Sequence, residues 1–306
     1  MGGGHLEPTD IKVIDPACGS AHILVESYNI LKKIYLEYGH RLVDIPKLIL
    51  ENNIYGLDID GRASQISSLI LLLTASKDNK KILDLEIKPH ILSFENYHEI
   101  KLDFLESYSG FNTEFSLEIL KRQLSKLKYA KTYGSLIEIN EKYFNHLENL
   151  KNYLNSLESF LEVEYLIPFV DILIQLSRRY DCLVANPPYM GATTMSIELK
   201  SYITKSFKEY KNDLCTAFMK RAFSILKTGG YNAQINIQSW MFLSSFKDAR
   251  LDLLNNYSLV NLNHLASGLF KDTPVETCSF IFKNQKLDNF ISTFIKNDFS
   301  RGSNNK

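Results

Sequence analysis

Short apolar runs separated by stretches of helical period set the layout of this chain. Lys12 to Asp15 predicts a brief strand that runs into the loop Pro16-Ala17-Cys18-Gly19-Ser20-Ala21, and helical period follows from His22 to Tyr38. Ile54 to Leu57 predicts a second strand, ending in Asp58-Ile59-Asp60; a helix covers Ala63 to Lys77, and Ile87 to Leu92 predicts a third strand. The succession β-α-β-α-β is the pattern of a doubly wound, mostly parallel sheet.

From about Glu99 to Arg179 the period changes. Leu117, Leu120, Leu124 and Leu127 recur at three- and four-residue steps, as do Phe144, Leu147, Leu150, Leu154 and Leu157, with a break near Tyr133-Gly134. This predicts a helical insertion between the third and fourth strands, serving either as a structural cap or as a binding arm. The sheet resumes at Tyr180 to Ala185. A helix over Leu214 to Leu226 is expected to end at Gly229-Gly230 as a C-cap, Tyr231 to Ile237 alternates like a strand, and a helix spans Phe246 to Asn256. Val260 to Leu265 and Thr277 to Phe282 pair as an antiparallel edge hairpin, and the polar tail 284–306 is expected to be disordered.

Composition narrows the classes. The chain has 306 residues, enough for a sizeable core, and Lys+Arg and Asp+Glu number 35 each, so any nucleic-acid signal must be local. The longest apolar run, Ile66 to Ala75, is too short to span a bilayer, and the N-terminus lacks the apolar core of a signal peptide. Cys18, Cys182, Cys215 and Cys278 are far apart, which points to neither a zinc site nor a disulfide framework. A reduced cytoplasmic protein without a resident metal is the expectation.

Three candidate stations fall at the carboxyl ends of predicted strands, where open α/β sheets bind ligands. The first is Asp15 with the loop Ala17-Cys18-Gly19, whose small residues let a ligand approach the backbone; a plain βα turn fits the same residues. The second is Asp58, placed to accept from two adjacent ribose hydroxyls, with Ile59 offering an apolar face and Asp60 as the competing carboxylate. These two alone fit a nicotinamide dehydrogenase, but the loop lacks the G-x-G-x-x-G spacing.

The third is Asn186-Pro187-Pro188-Tyr189. An amino group on an aromatic ring is a poor nucleophile because its lone pair is delocalised. Two acceptors, the Asn186 side-chain oxygen and the Pro187 carbonyl, can bind both its hydrogens and draw the nitrogen toward tetrahedral geometry. Pro187 and Pro188 restrict the backbone that aims that carbonyl. Tyr189 offers a face on which a base stacks, worth ~1–3 kcal/mol. A base reaches such a pocket by leaving its helix.

The set DPACGSA, YGLDID and NPPY, in this order, resembles the S-adenosylmethionine-dependent amino-methyltransferases of DNA. More narrowly, IDPACGSAHILVESYNIL together with ILENNIYGLDIDGRASQ resembles the adenine-specific methylase of BREX phage-defence systems, with the methylase halves of type IIG restriction enzymes as further relatives. The resemblance implies that Asp15, Ala17, Cys18 and Gly19 hold the methionine part of the cofactor, Asp58 its ribose and Ile59 its adenine. It implies that Asn186 and Pro187 bind the target amino group, with Tyr189, beside Pro188, stacked on the flipped base. Phe270 stands where similar enzymes place a second aromatic against that base, or is an ordinary core residue. In such relatives the NPPY form goes with adenine N6 rather than cytosine N4 as the methyl acceptor, and the resemblance as a whole implies double-stranded DNA as substrate and allows other phage-defence proteins as partners.

On this reading residues 11–98 are the cofactor-binding half, 99–179 the insertion and 180–283 the target-base half. Ala21 stands where many relatives have glycine. The usual aspartate after the third strand is not evident; Ser93, Phe94 and Glu95 are its nearest candidates. Such enzymes carry a further cofactor-binding segment upstream and a DNA-reading region downstream, and by that standard the chain reads as a fragment or shortened gene product.

Between Glu198 and Lys227 stand seven basic residues (Lys200, Lys205, Lys208, Lys211, Lys220, Arg221, Lys227) against three acidic ones (Glu198, Glu209, Asp213), with Tyr202, Phe207 and Tyr210 interleaved. Phosphate contact and a solvated helix face both fit. A glutamine-N5 protein methyltransferase, which also uses NPPY, and a non-catalytic module of the same fold are the alternative functions.

Overall fold

A computed structural model describes residues 6–157, 161–265 and 276–297 of the chain. Strands β1 (Val13–Asp15), β2 (Ile54–Asp58), β3 (His90–Ser93), β4 (Tyr180–Ala185), β5 (Leu226–Ile237), β6 (Ser258–His264), β7 (Thr277–Lys283) and β8 (Thr293–Lys296) are mostly parallel, ordered β3-β2 in one part of the chain and β1-β4-β5-β7-β6-β8 in the other. The helices are α1 (His22–Glu37), α2 (Ile45–Asn52), α3 (Gly61–Ser76), α4 (Leu117–Ser125), α5 (Ala130–Tyr133), α6 (Phe144–Ser156), α7 (Leu161–Ser177), α8 (Ile197–Ser206), α9 (Leu214–Ile225), α10 (Ser239–Phe242) and α11 (Lys247–Asn256). Among the described residues no helix is long and apolar enough to cross a membrane. The chain divides into two compact units, Met1–Asp10 with Cys18–Arg179, and Ile11–Ala17 with Tyr180–Lys306.

In the first unit β2 and β3 run parallel, registered from Tyr55 against His90 to Asp58 against Ser93. Helix α1 buries Leu24, Tyr28, Leu31 and Tyr35, one stripe at steps of four, three and four. Each such side chain contributes ~1.5–3 kcal/mol of burial. Gly56 lies inside β2 because its neighbours crowd it: a Cβ there would stand 2.6 Å from Ile91 Cδ1, 3.0 Å from Leu24 Cδ1 and 3.1 Å from Cys18 Sγ. The insertion is helical, as its period predicts, and buries Leu120, Leu124, Leu127, Leu147, Leu150 and Leu154 in its core. Its chain breaks where α5 ends at Tyr133 and Gly134 opens a 3₁₀ turn. Helix α7 anchors the insertion to β3 through Gln175 Nε2, which donates to the His90 carbonyl at 2.7 Å.

In the second unit β1 and β5 flank β4 in parallel, β7 runs antiparallel between β5 and β6, and β8 joins β6 in parallel. Two sequence expectations need correction here. Helix α9 ends at Ile225 and Gly229-Gly230 is no helix cap, because Leu226 already pairs with Tyr180. The register then passes from Tyr180/Leu226 to Cys182/Tyr231, so 227–230 bulge out within β5. The segment after Asn284 is also ordered in part: Thr293–Lys296 pairs with Asn261–His264, so β8 lies beyond the β6–β7 hairpin.

Strand β5 inverts the usual reading of an alternating strand. Asn232, Gln234 and Asn236 are buried, while Tyr231, Ala233 and Ile235 are more exposed. The three amides form a ladder: Gln234 Nε2 donates to Asn232 Oδ1 (2.9 Å), and Asn236 Nδ2 to Gln234 Oε1 (3.4 Å). The ladder also reaches α9, through Asn232 Nδ2 to the Met219 carbonyl (3.2 Å) and Asn236 Nδ2 to the Cys215 carbonyl (3.4 Å).

Candidate active site

In the second unit the first loop is shaped by Asp15. Its side chain is 2% exposed at the end of β1, and its Oδ1 accepts the Ala17 N–H at 3.0 Å, which turns the chain directly after the strand.

The rest of that loop belongs to the first unit and is fastened to β2 and α3. The Cys18 N–H donates to the Leu57 carbonyl (3.0 Å), and the Gly19 N–H donates to Asp58 Oδ2 (2.8 Å). Ser67 Oγ, fully buried on α3, donates to the Gly19 carbonyl at 2.6 Å and lies 3.8 Å from Cys18 Sγ. Ala21 adopts the left-handed region, φ 65°, at the start of α1. That conformation suits glycine, since alanine there costs ~1–2 kcal/mol.

Asp58 and Asp60 part company in the structure. Asp58 Oδ1 accepts the Asp60 N–H (2.9 Å) and its Oδ2 holds Gly19, so its carboxylate is fixed at the mouth of β2 with lone pairs to spare. Asp60 is the N-cap of α3, its Oδ1 accepting the Arg62 N–H at 2.8 Å. Ile59 between them is 51% exposed, a large apolar side chain beside a fixed carboxylate. Of the candidates after β3, Phe94 is fully buried and its N–H donates to the Asp58 carbonyl (2.9 Å), while Glu95 is ion-paired with Lys131 (3.0 Å).

The NPPY segment follows β4 in the second unit. Asn186 and Pro188 are exposed, Pro187 is buried and Tyr189 is half-buried. The Tyr189 hydroxyl lies 2.7 Å from Asn186 Oδ1 as donor, and 3.3 Å from the Ile235 carbonyl of β5. Burial, with Cys215, Cys278 and Asp213 nearby, pushes the Tyr189 hydroxyl up from its ordinary range, so at neutral pH it keeps the proton that orients Asn186. Burial likewise pushes Cys278 up to about 12 despite the Trp240 hydrogen bond, and raises Cys215, with Asp213 adding to it; neither thiol is a thiolate nucleophile.

Asp213 is the anchor that the sequence reading missed. Its Oδ1 accepts the N–H groups of Met190 (3.2 Å) and Cys215 (3.0 Å), so one carboxylate caps α9 and holds the NPPY loop. The Leu214 N–H returns a bond to the Met190 carbonyl at 2.9 Å. An aspartate directly before the helical run LCTAFM is an N-cap signal.

The basic stretch is thinner than its charge count. Lys220 pairs with Asp252 (2.7 Å), Lys227 pairs with Asp181 (2.8 Å), and Arg221 is buried. Lys200, Lys205, Lys208 and Lys211 stay exposed. Phe207 and Tyr210 are core residues, not an exposed aromatic row, because the Tyr210 hydroxyl turns inward to Asp252 at 2.5 Å. Phe270 lies outside the described residues. Among the described residues no group of three or more His, Cys, Asp or Glu side chains is arranged to hold a metal.

Comparison with known proteins agrees with the resemblance read from the motifs. The adenine-specific methyltransferase BrxX of Escherichia coli O9:H4 (strain HS) is 40% identical over 95% of this chain and 27% of its own length. The adenine-specific methyltransferase PglX of Lacticaseibacillus casei (strain Zhang) is 29% identical over 93% of this chain and 24% of its own. The chain therefore spans about a quarter of the length of these curated relatives. A nuclease-deletion mutant of the Type ISP restriction-modification enzyme LlaGI, solved with a DNA substrate mimic, matches 94% of this chain and 21% of its own at TM-score 0.60 and 12% identity, which shows a shared fold. The Eco57I restriction-modification methylase family matches residues 52–270, well over half of the sequence, and the chain belongs to that family.

Proposed function

We propose that the chain is the methyl-transferring part of a DNA adenine-N6 methyltransferase that uses S-adenosylmethionine and serves phage defence or restriction-modification. The observation that carries the reading is the exposed Asn186 at the end of β4, its carboxamide oxygen oriented by the Tyr189 hydroxyl at 2.7 Å. An acceptor held in this way, with the Pro187 carbonyl next in the chain, suits the two N–H groups of an aromatic amine. The BrxX and PglX relatives, both named as adenine-specific methyltransferases, favour this use of the motif over glutamine methylation.

The residues at the end of β2 fit the cofactor. Asp58 is braced by two backbone N–H groups and retains acceptor capacity for ribose hydroxyls; Ile59 is apolar and exposed for an adenine face; the Gly19 loop is built of small residues. When bound, S-adenosylmethionine supplies an electrophilic methyl group. The protein's own contribution is orientation. Asn186 and Pro187 accept the amine hydrogens, Tyr189 carries the ring, and positioning with fixed dipoles does the work that a covalent nucleophile does elsewhere. Lys200, Lys205, Lys208 and Lys211 are the side chains we assign to phosphate contact.

Transfer of labelled methyl from S-adenosylmethionine to duplex DNA tests the reading. The expected product is N6-methyladenine, absent with Asn186→Ala although that variant still binds cofactor. N4-methylcytosine as product would overturn the adenine assignment, and label on glutamine-containing protein but not on DNA would overturn the DNA assignment.

A further inference from the structure

The insertion reaches the end of β2 at Gly134. Gly134, buried and at φ +50°, sits so that a Cβ built on it would lie 2.9 Å from Ile59 Cγ2 and 3.9 Å from Phe94 Cε2. Ile59 thus has one side open to solvent and its branch methyl backed by the Gly134 turn. The turn is secured to the segment after β3 by three bonds: Asn96 Oδ1 accepts the Lys131 N–H (3.0 Å), the Tyr97 N–H donates to the Leu127 carbonyl (3.0 Å), and Lys131 pairs with Glu95 (3.0 Å). The Ile137 N–H closes the turn on the Gly134 carbonyl at 3.2 Å. A cap that served stability alone would place a filled side chain against an exposed isoleucine. Here the contact is instead left bare, at a backbone angle that L side chains rarely adopt.

We infer that Gly134 is a positioning residue for the cofactor: the insertion forms the back wall of the adenine end of the site, and the missing side chain at 134 sets how far Ile59 projects. The inference rests on the cofactor reading above. A methyl at 134 pushes the Ile59 branch methyl toward the open side, where the purine would lie, and one misplaced methyl in a fitted pocket costs affinity about tenfold.

The experiment is calorimetric titration of the purified chain with S-adenosylmethionine, comparing wild type with Gly134→Ala, and repeating the comparison in an Ile59→Leu background. Leucine lacks the branch methyl that meets the new Cβ. The expected result is about tenfold weaker binding by Gly134→Ala, with most of that loss absent in the Ile59→Leu background, a coupling that general loosening of the fold does not produce. Amide hydrogen exchange on the wild type provides the second measurement, in case Gly134→Ala does not fold. Cofactor should slow exchange in 133–137 and leave helix α4 of the same insertion unchanged. Wild-type binding with equal affinity in a folded Gly134→Ala, or with no protection of 133–137, overturns this inference and leaves the cofactor reading standing. No binding by folded wild type overturns both.

Discussion

Asp58 holds the loop and, on the proposed function, the ribose; Asp58→Asn separates the two roles. The native carboxylate accepts the Gly19 N–H at 2.8 Å with one oxygen and the Asp60 N–H at 2.9 Å with the other. An asparagine of the same shape keeps one acceptor oxygen and sets its NH₂ against the other donor. Gly19 and Asp60 are both reached by solvent, so water repairs part of the loss and stability falls by only about 1–2 kcal/mol. Cofactor affinity falls further. Two hydroxyls that donate to a charged acceptor, at ~1.5–3 kcal/mol each, become one bond to a neutral oxygen, a loss of about 3 kcal/mol or roughly a hundredfold in Kd. Calorimetric titration with S-adenosylmethionine reads the affinity, and urea unfolding reads the stability. Asp60→Asn is the matched control: it perturbs the cap of α3 and should leave Kd within about twofold, because an asparagine N-cap is nearly as good as aspartate. If Asp58→Asn unfolds more easily yet binds cofactor as wild type does, Asp58 is a loop clamp alone and the ribose assignment is wrong.

Tyr189→Phe keeps the stacking face and removes the bond to Asn186 Oδ1, so kcat for methyl transfer should fall about tenfold with KM for DNA little changed; an unchanged kcat would mean that the hydroxyl does not orient the carboxamide. Asp252 gives a pH prediction. Burial opposes its charge, but hydrogen bonds from Lys220 and Tyr210 hold its carboxyl below the ordinary range. A depressed folded pKa contributes stability above the unfolded value of about 3.9, and that stability is lost as pH falls through the folded value. The stability gap between wild type and Asp252→Asn should therefore be wider at pH 7 than at pH 3 in urea unfolding, and a gap independent of pH counts against the linkage.

The fold was legible where burial follows period. Strand β4 matches its predicted span, α1 and α3 end within two residues of expectation, and the insertion is helical with its break at Tyr133-Gly134. Failures came where hydrogen bonds override local signals. The pair Gly229-Gly230 looks like a helix cap by composition, yet pairing of Leu226 with Tyr180 had already begun the strand. The tail contains β8 because β6 leaves an edge for Thr293–Lys296 to join, and the short β-prone run Ile291-Ser292-Thr293-Phe294-Ile295 is hidden within polar surroundings. The motif residues could be singled out as candidates because their chemistry is unusual, whereas Asp213 and Ser67 could not, since a capping aspartate and a helix serine are ordinary residues until the chain folds. The charge count over the basic stretch overstates its free charge because partners were not visible in it: Lys220 and Lys227 face carboxylates from distant parts of the chain.

The inverted face of β5 bears on why the NPPY loop can be held accurately. Asp213 at the start of α9 carries Met190, so any slide of α9 along β5 would move Tyr189 with it. An apolar helix–strand contact is non-directional and gives little resistance to such a slide. The buried amides of Asn232, Gln234 and Asn236 tie the strand to the Met219, Phe218 and Cys215 carbonyls of α9, and each bond is directional. Gln234→Leu conserves volume roughly but leaves Asn232 Oδ1 without its donor, at ~1–3 kcal/mol for the buried group left unpaired, while the Phe218 carbonyl keeps its bond within α9. If the ladder fixes register, this variant should lose kcat for methyl transfer by more than its fraction unfolded explains, with cofactor Kd unchanged. A loss of stability alone, with kcat intact in the folded fraction, would show the ladder to be packing rather than alignment.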